Sequence, residues 1–202
     1  MVEALTLEKL QQQVQDRYDY DEERVVGIML ARYGLSITER IIEQSYQYWH
    51  INSSRYFDVF WAGYGAYLPR SDESSTKKIL NYPGNDKRAY FDLEAFVEIK
   101  NQFKDRFNSP YHDKLQLILV NYREGKLHFD ESIQINLEEN LDPDHAKIRE
   151  IMELITEECR SAHQVAPIAK KIKLGRLNDI IKGVTISDII NVAIGLAGSG
   201  RH

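Results

Sequence analysis

Few side chains in this chain are placed to carry out nucleophilic or metal chemistry. Cys159 is the only cysteine among 202 residues, so neither an intramolecular disulfide nor a cysteine-based zinc site can form. It falls on one helical stripe with Ile148, Met152 and Ile155, the setting of an inert apolar thiol. His163 follows four residues later on the same side, the spacing of a Cys–His nucleophile, but no third group is evident to orient the histidine. The other histidines (His50, His112, His128, His145 and His202) are scattered, and no two histidines stand three or four residues apart, so no metal site is written locally. Gly63-Tyr64-Gly65 lacks the third glycine of a dinucleotide loop, and neither a phosphate loop nor a Gly-x-Ser-x-Gly elbow occurs. No cofactor or metal is implied. At Tyr33-Gly34-Leu35-Ser36 a glycine precedes a serine able to cap a helix, which would leave backbone N–H groups for an anion or carboxylate. The plainer reading is a cap that satisfies its own helix.

The elements that must position these residues follow from hydrophobic spacing. Thr6 with Leu7, Leu10, Val14 and Tyr18 predicts a capped amphipathic helix, ending in the acidic stretch 19–23. Arg24 to Arg32 is a short apolar run that fits a buried parallel strand. Ser36 and Glu39 form a capping box for a helix with Ile37, Ile41, Ile42, Tyr46 and Trp49 on one face. Tyr56 to Leu68 predicts a central aromatic strand, with Gly63 and Gly65 marking a bend or a close backbone approach. Pro69 to Tyr90 shows no periodicity and reads as a long loop. Asp92 opens a helix with Leu93, Phe96, Ile99, Phe103 and Phe107 at helical spacing, stopped before Pro110. Leu115–Tyr122 and Leu127–Leu137 flank Arg123-Glu124-Gly125-Lys126, a hairpin. Asp142-Pro143 starts the next helix, which buries Ile148, Ile151, Met152, Ile155 and Cys159. After Pro167 a lysine-rich stretch leads to Thr185, read as the N-cap of a closing amphipathic helix.

From Glu23 to Gln164 the order is therefore strand, helix, strand, helix, two-stranded hairpin, helix. That order resembles the thioredoxin-like core. The resemblance implies an α/β fold, a mixed sheet of about four strands with helices on both faces. Two departures bear on function. Redox members need a thiolate at the first helix N-terminus and a second thiol to resolve the mixed disulfide, and Tyr33 to Ser36 offers neither. Members also tend to carry a cis-proline immediately before the third core strand, whereas Pro110 stands five residues ahead of Leu115. A redox-inactive member of this kind would act by binding other proteins. A second, shorter likeness lies in Asp92, Glu98 and Lys100, which resemble the signature of the PD-(D/E)xK nucleases. There two carboxylates hold a divalent metal and the lysine positions water. In that family Glu-x-Lys lies on a strand, whereas here it falls inside a helical stripe.

Composition narrows the class further. Hydrophobic residues at 43% and charged ones at 28% are globular values, and a net charge of -5 argues against nucleic-acid binding. The acidic N-terminus does not read as a signal peptide and no apolar stretch approaches a membrane span, so the expected compartment is the cytoplasm. Twelve tyrosines and two tryptophans suit half-buried positions and interfaces. The expected organisation is an N-terminal helix at 1–22, a thioredoxin-like α/β domain at 23–166 and a basic, amphipathic helical appendage at 167–202. The expected function is a non-enzymatic protein-binding module, serving as adaptor, sensor or subunit of a larger assembly. Its binding surface is read as Tyr33, Gly34 and Ser36 with Trp61, Tyr64, Tyr67, Lys77 and Lys78. Its partner would be another protein or a second copy, and the C-terminal helix could add peripheral membrane contact. The alternative is the metal-dependent nuclease built on Asp92, Glu98 and Lys100.

Overall fold

Thr6 is the N-cap of the leading helix, its Oγ1 accepting from the Lys9 N–H at 3.4 Å. Helix α1 (Leu7–Arg17) follows with Leu7, Leu10 and Val14 buried, as their spacing requires. The computed structural model describes residues 6–35, 38–43, 57–82, 84–104, 114–140, 146–174 and 181–191. Expectations resting on Ser36, Ile37, Tyr46, Trp49, Tyr56, Phe107, Pro110, Asp142 and Pro143 lie outside the described residues.

The fold is α/β with a mixed sheet and a leading helix. Strand β1 (Arg24–Leu30) runs parallel to β2 (Val59–Trp61). It is antiparallel to β6 (Gln116–Arg123), which forms a hairpin with β7 (Lys126–Asn136). With β8 (Val184–Ile186) on the far edge, the order is β2-β1-β6-β7-β8. Strand β1 is buried from Val25 to Leu30, which is why it reads as a continuous apolar run. At the hairpin Glu124 and Gly125 both take positive φ (51 and 70), the two-residue turn whose twist suits the flanking strands.

The expected single central strand at 56–68 is instead two strands in two sheets. Gly63 takes φ 76, and its carbonyl accepts from the Asp92 N–H at 2.7 Å. A Cβ there would lie 2.7 Å from the Phe96 Cβ and 2.9 Å from the Asp92 carbonyl oxygen, so only glycine permits this crossing. The chain leaves the edge of the main sheet at β2 and enters β3 (Tyr64–Gly65). A second sheet, ordered β3-β5-β4, joins it to β5 (Tyr90–Asp92) and β4 (Lys77–Ile79). The aperiodic stretch 69–90 thus contains a strand and a 3-10 turn at Arg70–Asp72.

Helix α2 covers residues 38–43, α3 is Leu93–Lys104, α4 is Ala146–Ser161 and α5 is Val165–Leu174. Asn121 and Tyr122 are successive in β6 and so point to opposite faces. The Tyr122 hydroxyl donates to the Tyr18 carbonyl just past α1, at 3.2 Å. The Asn121 Oδ1 accepts from Val165 N–H at the start of α5, at 2.7 Å. Helices α1 and α5 therefore cover opposite faces, with α3 beside α1 and α4 beside α5. Ile148, Ile151, Met152, Ile155 and Cys159 are all buried on α4.

Pro167 is the third residue of α5, within the first turn, where its missing N–H leaves no helical bond unmade. Thr185, expected to cap a closing helix, lies in β8 opposite Gln134. The β-branched run Val184-Thr185-Ile186 favours the strand, and Ser187 takes over the turn. Its N–H donates to the Ser132 carbonyl and its own carbonyl accepts from the Asn191 N–H, both at 3.0 Å. Among the described residues no helix is long and apolar enough to cross a membrane.

Candidate functional site

The second sheet and the turn after β1 gather most of the residues read as a binding surface. The Tyr33 hydroxyl donates to Glu43 Oε1 at 3.2 Å and accepts from the Asn81 N–H, and its ring lies 6.2 Å from that of Phe91. Burial raises its phenol above the ordinary value; the Asn81 N–H opposes the shift, and the Glu43 carboxylate reinforces it. Tyr82 stands next to Asn81 and is likewise raised, by burial and then by Asp86. Asn85 ties this loop into a loop–strand clamp. Its Nδ2 donates to the carbonyls of Leu80 (2.9 Å) and Ala89 (3.1 Å), and its Oδ1 accepts from the Ala89 N–H at 2.7 Å. The Tyr67 N–H donates to the Lys87 carbonyl at 2.6 Å, which brings Tyr67 to the same loop.

Tyr67 is the outlier. It is 50% exposed and holds φ 63, a left-handed backbone that a bulky aromatic residue rarely adopts. Arg88, itself at φ 48, holds the neighbouring strand end, donating from Nε to the Leu68 carbonyl at 2.7 Å and pairing with Glu73. The surroundings fix the conformation and leave the ring in solvent.

Trp61 and Tyr64, expected as surface anchors, belong to the core. They are 4% and 3% exposed. Their rings meet edge to face at 5.4 Å, Tyr64 also lies 5.0 Å from Phe91, and its hydroxyl donates to the Ala31 carbonyl at 2.7 Å. The reason is the crossing at Gly63, which turns this segment between the two sheets. Gly34 is exposed at φ 103, with nothing within 4 Å of where a Cβ would stand. Ser36 lies outside the described residues. Lys78 is exposed opposite Phe91 on the free edge of β4, whereas Lys77 alternates to the other face, opposite Asp92. Of these residues Gly34, Tyr67 and Lys78 are exposed, Tyr33 and Lys77 are half-buried, and Trp61 and Tyr64 are buried.

Asp92, Glu98 and Lys100 adopt a different arrangement from the one the nuclease likeness needs. Asp92 is the N-cap of α3, its Oδ1 accepting from the N–H groups of Glu94 (3.0 Å) and Ala95 (3.2 Å). Glu98 and Lys100 both lie within that helix. Asp92 and Glu98 line a cleft of about 340 Å3 together with Asp72 and Lys77, and Lys100 is not part of its lining. No group of three or more His, Cys, Asp or Glu side chains able to hold a metal occurs among the described residues. Cys159 is buried, and burial, then the Glu158 charge, pushes its thiol up to about 12. His163 is exposed, so the thiol has no base beside it to activate it.

Two polar groupings escaped sequence reasoning. Asp58 accepts from the Tyr18 hydroxyl and pairs with Arg17, joining α1 to the start of β2. Gln116 and Gln134 sit at buried positions in β6 and β7. The second had a signal: in Ser132-Ile133-Gln134-Ile135-Asn136 the polar residues alternate with isoleucines, which puts Gln134 and Asn136 together on the face opposite Ile133 and Ile135. Compared with known proteins, the chain matches no family model, no curated protein and no solved structure.

Proposed function

We propose that this protein is a non-enzymatic, cytoplasmic protein-binding module on a redox-inactive, thioredoxin-like scaffold, an adaptor, sensor or subunit of a larger assembly. The binding face is formed by Tyr33, Gly34, Tyr67 and Lys78, with Tyr82 at its margin. The observation that carries the reading is Tyr67, an aromatic side chain half in solvent on a left-handed backbone. Strained conformations of this kind cost about 1–3 kcal/mol and gather at ligand clamps. Exposed tyrosine supplies contact area at low entropic cost, and Lys78 at the strand edge adds a charge for an acidic partner. The scaffold reading draws its support from the order β1, α2, β2, α3, the β6–β7 hairpin and α4, with β3, β4 and β5 inserted between β2 and α3.

Affinity capture from native lysate with the intact chain, Tyr67→Ala and Lys78→Glu tests this. A stoichiometric partner held by the intact chain and lost from both variants, with unchanged melting temperature, is the expected result. No such partner, or one that both variants retain, overturns the proposal. The nuclease alternative has less behind it, because the Asp92 Oδ1 already caps α3 and Lys100 lies off the cleft. Metal-dependent DNA or RNA cleavage abolished by Lys100→Ala would restore it.

A further inference from the structure

Gln116 and Gln134 are each only 9% exposed, yet neither carboxamide is hydrogen-bonded to a described residue. The amide atoms themselves keep contact with solvent in the cavity, where a ligand or water can meet their donors and acceptors. Both amides line a cavity of about 390 Å3. The sheet register explains how they converge. Gln116 stands opposite Asn136, and Gln134 stands opposite Thr185 on the edge strand β8. Gln134 and Asn136 are two residues apart on β7, so all four side chains share one face of the sheet.

The rim is charged where the floor is neutral. Lys114, just before β6, and Glu139 both line the cavity, and Glu139 accepts at Oε1 from the Asn136 Nδ2 at 2.8 Å. Gly183, at φ 66, is what admits that carboxylate: a Cβ there would lie 2.7 Å from the Glu139 Oε2. Among the described residues no aromatic side chain lines the cavity. The volume lies at the lower end of the range of small-molecule sites.

We infer that this cavity is a binding site for a small zwitterion of the α-amino-acid class with a polar side chain. Lys114 receives the α-carboxylate and Glu139 the α-ammonium. Gln116 and Gln134 supply donors and acceptors to the ligand's side-chain polar group. The site is separate from the Tyr67 face and stands whether or not that face binds a protein. Should both hold, the sensor form of the proposed function gains its small-molecule input.

Isothermal titration calorimetry of the full chain tests it with L-glutamine, L-asparagine and L-glutaminamide as probes. One of the first two should bind at millimolar concentration, and the affinity should fall by about tenfold or more in Gln134→Met and in Lys114→Met. Lys114 lies at the rim, so its variant keeps the test meaningful should Gln134→Met fail to fold. L-glutaminamide, which lacks the α-carboxylate, should bind more weakly to the intact chain and equally to Lys114→Met. The absence of binding by both amino acids, or binding undiminished in Lys114→Met, overturns the inference.

Discussion

Asp58 joins three stretches of chain. Its side chain accepts from the Tyr18 hydroxyl and pairs with the Arg17 Nε at 2.6 Å, while its carbonyl accepts from the Gly27 N–H at 2.9 Å. At 7% exposure the carboxylate depends on these partners. Tyr18→Phe removes one of them and should cost about 1–3 kcal/mol by urea denaturation. The same pair sets an alkaline limit. Burial, then the hydrogen bond and charge of Asp58, hold the Tyr18 phenol well above its ordinary value of 10.0. Above that value the unfolded phenol gives up its proton while the folded one keeps it, so stability falls as pH rises. Tyr33, Tyr82 and Tyr122 are raised as well and act in the same direction. Melting temperature should therefore decline above about pH 10, less steeply in Tyr18→Phe. An equal decline in the variant would assign the effect to the other tyrosines.

Between elements, Gly63 decides the architecture around the candidate face. Gly63→Ala would require a side chain at φ 76 with a Cβ 2.9 Å from the backbone oxygen of Asp92, an atom that cannot swing aside. The expected loss is on the order of 3 kcal/mol, since left-handed strain and overpacking combine. A thermal melt showing less than a small shift would mean that the two sheets can rearrange. This position also shows what could be read from the sequence. The α3 and α4 stripes and the β6–β7 hairpin were readable because their periods run unbroken and Glu124-Gly125 suits the turn. Residues 56–68 alternate like one strand, but alternation reports only successive faces and not which sheet receives them. Trp61 and Tyr64 were misread for a related reason: aromatic composition carries no exposure, and burial followed from the crossing at Gly63. The left-handed backbone of Tyr67, which is 50% exposed, leaves no mark in the sequence. In the Val184–Ile186 strand a neighbouring β7 prevailed over local helical spacing.

Taken together, α1 and α5 are built into the core and do not hang from it. Leu10 and Val14 of α1 are 0% exposed, as are Ile168 and Ala169 of α5. Helix α1 is also tied to the hairpin. The Nε2 groups of Gln11 and Gln15 donate to the Gly125 carbonyl at 3.1 and 2.8 Å, and the Leu127 N–H donates to Gln11 Oε1 at 3.3 Å. Each large apolar side chain taken out of water contributes about 1.5–3 kcal/mol, and whole domains are stable by only about 5–15 kcal/mol. Removing residues 1–22 takes away Leu7, Leu10, Val14 and Tyr18 at once and uncovers the apolar surface they pack against, a loss comparable to the total. Cutting after residue 167 removes Ile168, Ala169 and Ile172 together with the edge strand β8. Both truncations should therefore lose the cooperative thermal transition and bind a hydrophobic dye, whereas a separable arm or appendage would leave the melting curve of the remainder intact. Circular dichroism of the two truncated chains decides between one cooperative unit and three, and with it whether a partner's grip on either end would be felt at the Tyr67 face.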